Sequence, residues 1–193
     1  MGVISKIRQR LGRYKWDKKI QSLTLNGDAL GKKIAWFSPD ITIDSTRPYL
    51  LHIGDNCFIG MNSVILMGTQ IGNNCIVGAG NVVHGTFPDN VVVAGNMAKI
   101  ICTLDEHYQK RRERTIEEAK ECAAIIKQRL NREPTAKDLI GFRFLFTPRT
   151  NEALRGYGVE NFACNGDEPD EVKKAFFETT PYWESFEDFL KDI

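Results

Sequence analysis

Residues 52–60, His-Ile-Gly-Asp-Asn-Cys-Phe-Ile-Gly, return eighteen positions later at 70–78 as Gln-Ile-Gly-Asn-Asn-Cys-Ile-Val-Gly. Around this echo Ile53, Ile59, Ile65, Ile71, Val77 and Val83 recur at every sixth position, and Gly54, Gly60, Gly72 and Gly78 follow four of them. A helix of about 3.6 residues per turn would scatter these positions over three faces, and each interior glycine would cost it about 1 kcal/mol. A hairpin strand alternates with period two and meets a turn after about five or six residues. A period of six, with three hexads to a turn, is instead the pattern of a parallel β-helix, whose short strands meet at corners and whose turns stack.

Stacking assigns each position a task. Residues eighteen apart lie one coil above another at about 4.8 Å. Ile53 is therefore expected over Ile71, Ile59 over Val77 and Ile65 over Val83, as apolar ladders inside the prism. Each buried aliphatic side chain contributes about 1.5–3 kcal/mol, enough to build a core despite the glycines. Asn56 is expected over Asn74 at a corner, where asparagine tolerates left-handed backbone angles. Cys57 is expected over Cys75, read as two small inward side chains in preference to a disulfide.

The wider chain agrees with a soluble protein. Among 193 residues, Lys and Arg number 26 against 25 Asp and Glu, and a net charge of +1 predicts no global attraction to nucleic acid or membrane. No apolar run approaches a membrane span, no signal-peptide core opens the chain, and Lys6 stands where a myristoylation motif needs Ser or Thr. Cys57, Cys75, Cys102, Cys122 and Cys164 form an odd set without metal-ligand spacing. They read as reduced thiols in a cytoplasmic protein, and no metal is expected.

Three segments follow. Residues 1–30 carry Lys6, Arg8, Arg10, Arg13, Lys15, Lys18 and Lys19 around a stripe of Ile4, Ile7, Leu11 and Tyr14. This reads as a basic amphipathic helix, more simply packed with a solvated face than laid on a membrane. Residues 31–102 hold the β-helix, entered through Ile41, Ile43 and a turn at Pro48, with the hexads breaking at Phe87-Pro88. Residues 103–193 read as a long helix and a small helical accessory domain. Thr103-Leu-Asp-Glu106 has the form of a capping box, and Ile116, Ala119, Ala123, Ile126 and Leu130 form a stripe ending before Pro134. Phe142, Phe144, Phe146, Phe162, Phe176, Phe177, Phe186 and Phe189 are expected to give this region an aromatic core. The run Lys110, Arg111, Arg112 and Arg114 reads as a solvated helix face.

The hexads at 71–83, with Phe87-Pro-Asp-Asn90 and Val93-Ala-Gly-Asn-Met-Ala-Lys-Ile100, resemble the closing coils of hexapeptide-repeat acyltransferases. The resemblance spans about residues 34–110 and is nearest to the acetyl-CoA-dependent sugar O-acetyltransferases of polysaccharide pathways. It implies a left-handed β-helix, a homotrimer of parallel prisms, acetyl-CoA as donor in the groove between neighbours, and a saccharide acceptor. It places cofactor contacts at Met61 and Ala79, at His84 and Gly85 beside the pantetheine arm, and at Lys99 near the nucleotide phosphates. Met97 departs from the proline common in the family.

Acetyl transfer from a thioester to a hydroxyl needs a general base, and an imidazole titrating near neutrality suits it. The family draws that histidine from an irregular coil or loop. None of His52, His84 and His107 has that setting, because Pro48 to Asn56 resembles an early coil running straight into the later one. His52 is the surrogate candidate if it points outward, against a solvent-facing histidine without a role. The competing expectation is a trimeric β-helix scaffold that keeps CoA binding and has lost turnover.

Overall fold

The computed structural model describes residues 29–32, 34–36, 41–44, 50–157 and 169–193. The chain divides into two compact units, Met1–His107 and Tyr108–Ile193. The basic helix expected in residues 1–30 lies outside the described residues except for positions 29 and 30, as do Pro48, Phe162 and Cys164.

The first unit is a three-faced coil of two-residue strands, one strand on each face per turn. One face stacks β1 (Ala29–Leu30), β4 (His52–Ile53), β7 (Gln70–Ile71) and β10 (Thr86–Phe87) in parallel. The second stacks β2 (Ala35–Trp36), β5 (Phe58–Ile59), β8 (Ile76–Val77) and β11 (Val91–Gly95), and β12 (Ala98–Thr103) closes it antiparallel to β11. The third stacks β3 (Thr42–Ile43), β6 (Val64–Ile65) and β9 (Val82–Val83).

The observed registers place Ile53 on Ile71, Ile59 on Val77 and Ile65 on Val83, as the hexads predict. All six side chains are fully buried. The glycines after them mark corners where coils touch: a Cβ on Gly54 would come 2.6 Å from the Gly72 carbonyl carbon. Two irregularities bracket the regular coils. The first turn is longer, with Ala29 paired to His52, and the last is two residues shorter, with Thr86 paired to Gln70 at a spacing of 16. The coil thus has three turns and a partial fourth, and its first strand begins two residues ahead of the boundary expected at 31.

α1 (Leu104–Leu130) starts where the capping box predicts: Thr103 Oγ1 accepts from the Glu106 amide at 3.2 Å, and Glu106 Oε2 accepts from the Thr103 amide at 2.9 Å. In the second unit, Ala119 and Ala123 of α1 pack with Leu139, Leu145, Phe146, Trp183 and Phe189. A 3₁₀ turn (Ile140–Leu145), α2 (Asn151–Tyr157), α3 (Pro169–Glu178) and α4 (Phe186–Lys191) complete it. The expected stripe and aromatic core need correction. Leu130 is 56% exposed, because the helix ends there and Asn131 turns the chain with φ of 48°. Phe144 and Phe177 face outward, and Trp183 takes a core place that the phenylalanine count overlooked. Arg111 and Arg114 lie on an exposed face and pair with Glu117, Glu118 and Glu121. No described helix is long and apolar enough to cross a membrane.

Candidate functional site

A second set with period six lines the inside of the coil at Cys57, Ser63, Thr69, Cys75 and Asn81, all buried. Each sits two residues before a core aliphatic, at a corner, and each donates to a carbonyl of the next coil. Cys57 Sγ reaches Gly72 O at 3.1 Å, Ser63 Oγ reaches Gly78 O at 2.9 Å and Thr69 Oγ1 reaches Val83 O at 3.1 Å. Cys75 Sγ reaches Pro88 O at 3.2 Å, and Asn81 Nδ2 reaches Val93 O at 3.4 Å. These bonds answer carbonyls that the sharp corners would otherwise leave unpaired in the interior. The hydrogen bond with Cys75, together with burial, pushes the Cys57 thiol well above its ordinary value, so it remains a donor and not a thiolate. Cys57, Cys75, Cys102 and Cys122 are free. The set follows the same period as the aliphatic ladder, but its mixed chemistry (thiol, hydroxyl, amide) hides the repeat in the sequence.

Asn81 also shapes the exit. Its Oδ1 accepts from the Gly95 amide at 2.7 Å, and Asn96 bridges Val82. The β11–β12 turn at Asn96–Met97 is thereby pinned to the corner between the second and third faces. The Asn96–Met97 peptide is cis.

The expected cofactor residues separate into two groups. Met61 and Ala79 are both exposed and stack at the corner between the second and third faces, where Gly80 N donates to Met61 O at 2.7 Å. Lys99, exposed on β12, pairs with Ala94 in the strand next to β8 and belongs to this side of the coil. His84 and Gly85 form the next corner, across the third face, where Gly85 adopts φ of 107° and has open space around it. Beside the exposed Met61 and Ala79 the chain carries Gly78 and Gly80, and Lys99 adds a positive charge on this side of the coil. One chain does not place His84 against that corner.

The histidines are equally divided. His52 points outward from the first face at the head of β4, exposed, with Gln70 on the next rung and Thr86 beyond. His84 is exposed and His107 is half-buried in α1. Among the described residues no side-chain hydrogen bond or ion pair holds any of the three, so none has the orienting partner that fixes a base. The corner from the third face to the first spans residues 66–69 in one turn and narrows to 84–85 in the next.

The geometry defines a coil of stacked hexads with one tapered edge. A family model described as the hexapeptide repeat of succinyl-transferase matches residues 51–84. A putative acetyltransferase, YvoF, of Bacillus subtilis (strain 168) is 40% identical over 70 residues, 32% of this chain and 41% of the relative. A 2,3,4,5-tetrahydropyridine-2,6-dicarboxylate N-acetyltransferase of Clostridium perfringens (strain SM101 / Type A) is 48% identical over 61 residues, 32% of this chain and 26% of the relative. A solved galactoside acetyltransferase in complex with coenzyme A is 35% identical over 36% of this chain and 30% of that one, with a TM-score of 0.28. The coils at residues 51–84 are thus similar to the hexapeptide repeats of that family model, and the matching stretches of the relatives come from acetyltransferases. The chain spans less than half the length of the curated relatives named here.

Proposed function

We propose that the chain is an acetyl-CoA-dependent O-acetyltransferase acting on a saccharide hydroxyl, as a left-handed, homotrimeric β-helix in the cytoplasm. The observation that carries the reading is the unbroken run of hexads from Ile53 to Val83, closed by the Asn81-pinned hairpin that presents Lys99. Free thiols at the described cysteines fit a reducing compartment. Because Met61 and Ala79 lie at one corner and His84 and Gly85 at the next, a neighbouring copy is needed to bring both to one thioester. In that groove Lys99 meets the nucleotide phosphates, Met61 and Ala79 bound the pantetheine arm, and His84 and Gly85 complete it from the second chain. His52 takes the acceptor hydroxyl's proton as its oxygen attacks the thioester carbonyl, and the departing thiolate is protonated in turn.

The absence of any hydrogen-bonded partner for the histidines among the described residues favours a second reading: a trimeric scaffold that binds CoA without turnover. One experiment separates them. Transfer of labelled acetyl groups from acetyl-CoA is measured on a panel of mono- and oligosaccharides, with an amine acceptor as control, and CoA affinity is measured by calorimetry. The enzyme reading expects transfer to a saccharide, a loss of about 10²–10⁴-fold in His52→Ala with CoA affinity unchanged, and weaker CoA binding in Lys99→Ala. Wild type at background on every sugar while still binding CoA supports the scaffold. Strong transfer that His52→Ala leaves intact removes His52 from the chemistry.

A further inference from the structure

The outer surfaces of the three faces differ in chemistry. Outward positions of the second face carry Phe58 and Ile76, with Val92 in the same register but buried, and those of the third carry Val64 and Val82 after Thr42. The first face carries His52, Gln70 and Thr86, one hydrogen-bonding side chain per coil on consecutive rungs. Rungs lie about 4.8 Å apart. The strip therefore offers an imidazole, a carboxamide and a hydroxyl in line, comparable with the spacing of alternate hydroxyls round a pyranose ring.

Gln70 is the organising member of the strip. Its side-chain Nε2 donates to Leu50 O at 2.9 Å, two residues ahead of His52, and its backbone N–H donates to Gly85 O at 2.8 Å, in the short last corner. It thus ties three successive coils of the tapered edge together. With the nitrogen tied, the carboxamide plane is fixed, and its Oε1 takes no hydrogen bond among the described residues. A fixed, unsatisfied carbonyl oxygen on a half-buried side chain is a preorganised acceptor for a hydroxyl. Below it the corner is cut back to His84 and Gly85, and Gly85 has nothing within 4 Å of where a side chain would begin, which leaves room for a ring at that end.

We propose that Gln70 is an acceptor-binding residue that selects a pyranoside. Its Oε1 receives one ring hydroxyl, while His52 and Thr86 reach hydroxyls on either side. This rests on the reading of the coil as a saccharide acetyltransferase, and the test keeps the two apart.

The full-length chain is titrated with methyl glycopyranosides of glucose, galactose and N-acetylglucosamine, using saturation-transfer NMR for binding and the acetyl-transfer assay for turnover. Gln70→Ala is expected to weaken pyranoside binding and to raise the acceptor KM about tenfold, with the KM for acetyl-CoA unchanged. A purely structural role at the Leu50 corner would lower the melting temperature without splitting the two KM values. Pyranoside binding that Gln70→Ala abolishes, in a protein with no turnover, upholds the proposal and removes the enzyme reading. Transfer to a pyranoside with the acceptor KM unchanged in Gln70→Ala overturns the proposal and leaves the enzyme reading standing. Binding of none of the three pyranosides overturns the proposal as well.

Discussion

Asn56, Asn74 and Asn90 occupy one corner of successive coils with φ of 57°, 55° and 61°. Their amides form a ladder: Asn56 Nδ2 donates to Asn74 Oδ1 and Asn74 Nδ2 to Asn90 Oδ1, each at 2.9 Å. The residue type answers two demands at once, a left-handed backbone and a side chain that both donates and accepts. Replacing the middle rung separates these demands. Asn74→Ala is expected to destabilise the coil by about 2 kcal/mol, from the backbone penalty and the lost amide bonds together. Asn74→Gly relieves the backbone part and should recover about half of it. Denaturant unfolding followed by circular dichroism checks the order, and equal losses in the two variants would show that the amides alone matter. Beside this ladder, Asp89 Oδ1 accepts from the Asn73 amide at 2.7 Å and Asn73 Oδ1 from the Asp55 amide at 2.8 Å. The corner is therefore stitched twice.

At the scale of elements, the regular coils were legible and their surroundings were not. The hexads from Ile53 to Val83 predicted every observed rung between them, because a buried aliphatic at every sixth position admits one stacking. β1 fell ahead of the expected 31–102, and β2 carried no hexad within it, because the chain from Ala29 reaches the next turn over 23 residues and no eighteen-residue echo exists there. Phe87 looked like the end of the pattern, yet it lies on Ile71, since loss of two residues at the His84–Gly85 corner shifts the count without breaking the stack. The cofactor-side residues could be placed on corners from their phase, whereas the bonds of Gln70 to Leu50 and Gly85 could not be read, because they form only once the coils stack. In the helical unit, the capping box was legible and the link after α1 was not. There Arg132 pairs with both oxygens of Asp138 at 2.8 Å, and the Thr135 amide donates to Asp138 Oδ2 at 2.8 Å. The Arg132 guanidinium, then the Thr135 hydroxyl and amide, hold the Asp138 carboxyl well below the usual carboxylate range. A depressed folded-state pKa stabilises above the unfolded value of about 3.9 and is lost as pH falls through the folded one. Asp138→Asn should therefore be less stable than wild type at neutral pH, and thermal melts should show the gap narrowing below about pH 4. A gap that persists unchanged in acid would assign the loss to geometry and not to charge.

For the whole molecule, the division of the expected cofactor residues between two corners makes assembly a requirement of the proposed chemistry and not an ornament of it. Sedimentation equilibrium is expected to show a trimer at micromolar concentration, and a stable monomer would refute the proposed groove. Growth along the coil axis is a separate matter. The first face ends at β10 and the third at β9, whereas the second continues through β11 and doubles back in β12. The terminus is thus a step, not a plane, with Lys99 on its outermost strand. An incoming coil could pair only one side at a time, and there against a strand running the opposite way. Stacked repeats left with a level end can polymerise head to tail without limit, and charged or irregular edges are the usual defence. The hairpin that presents Lys99 therefore also acts as a chain terminator, keeping a fold made of translational repeats from becoming a fibre.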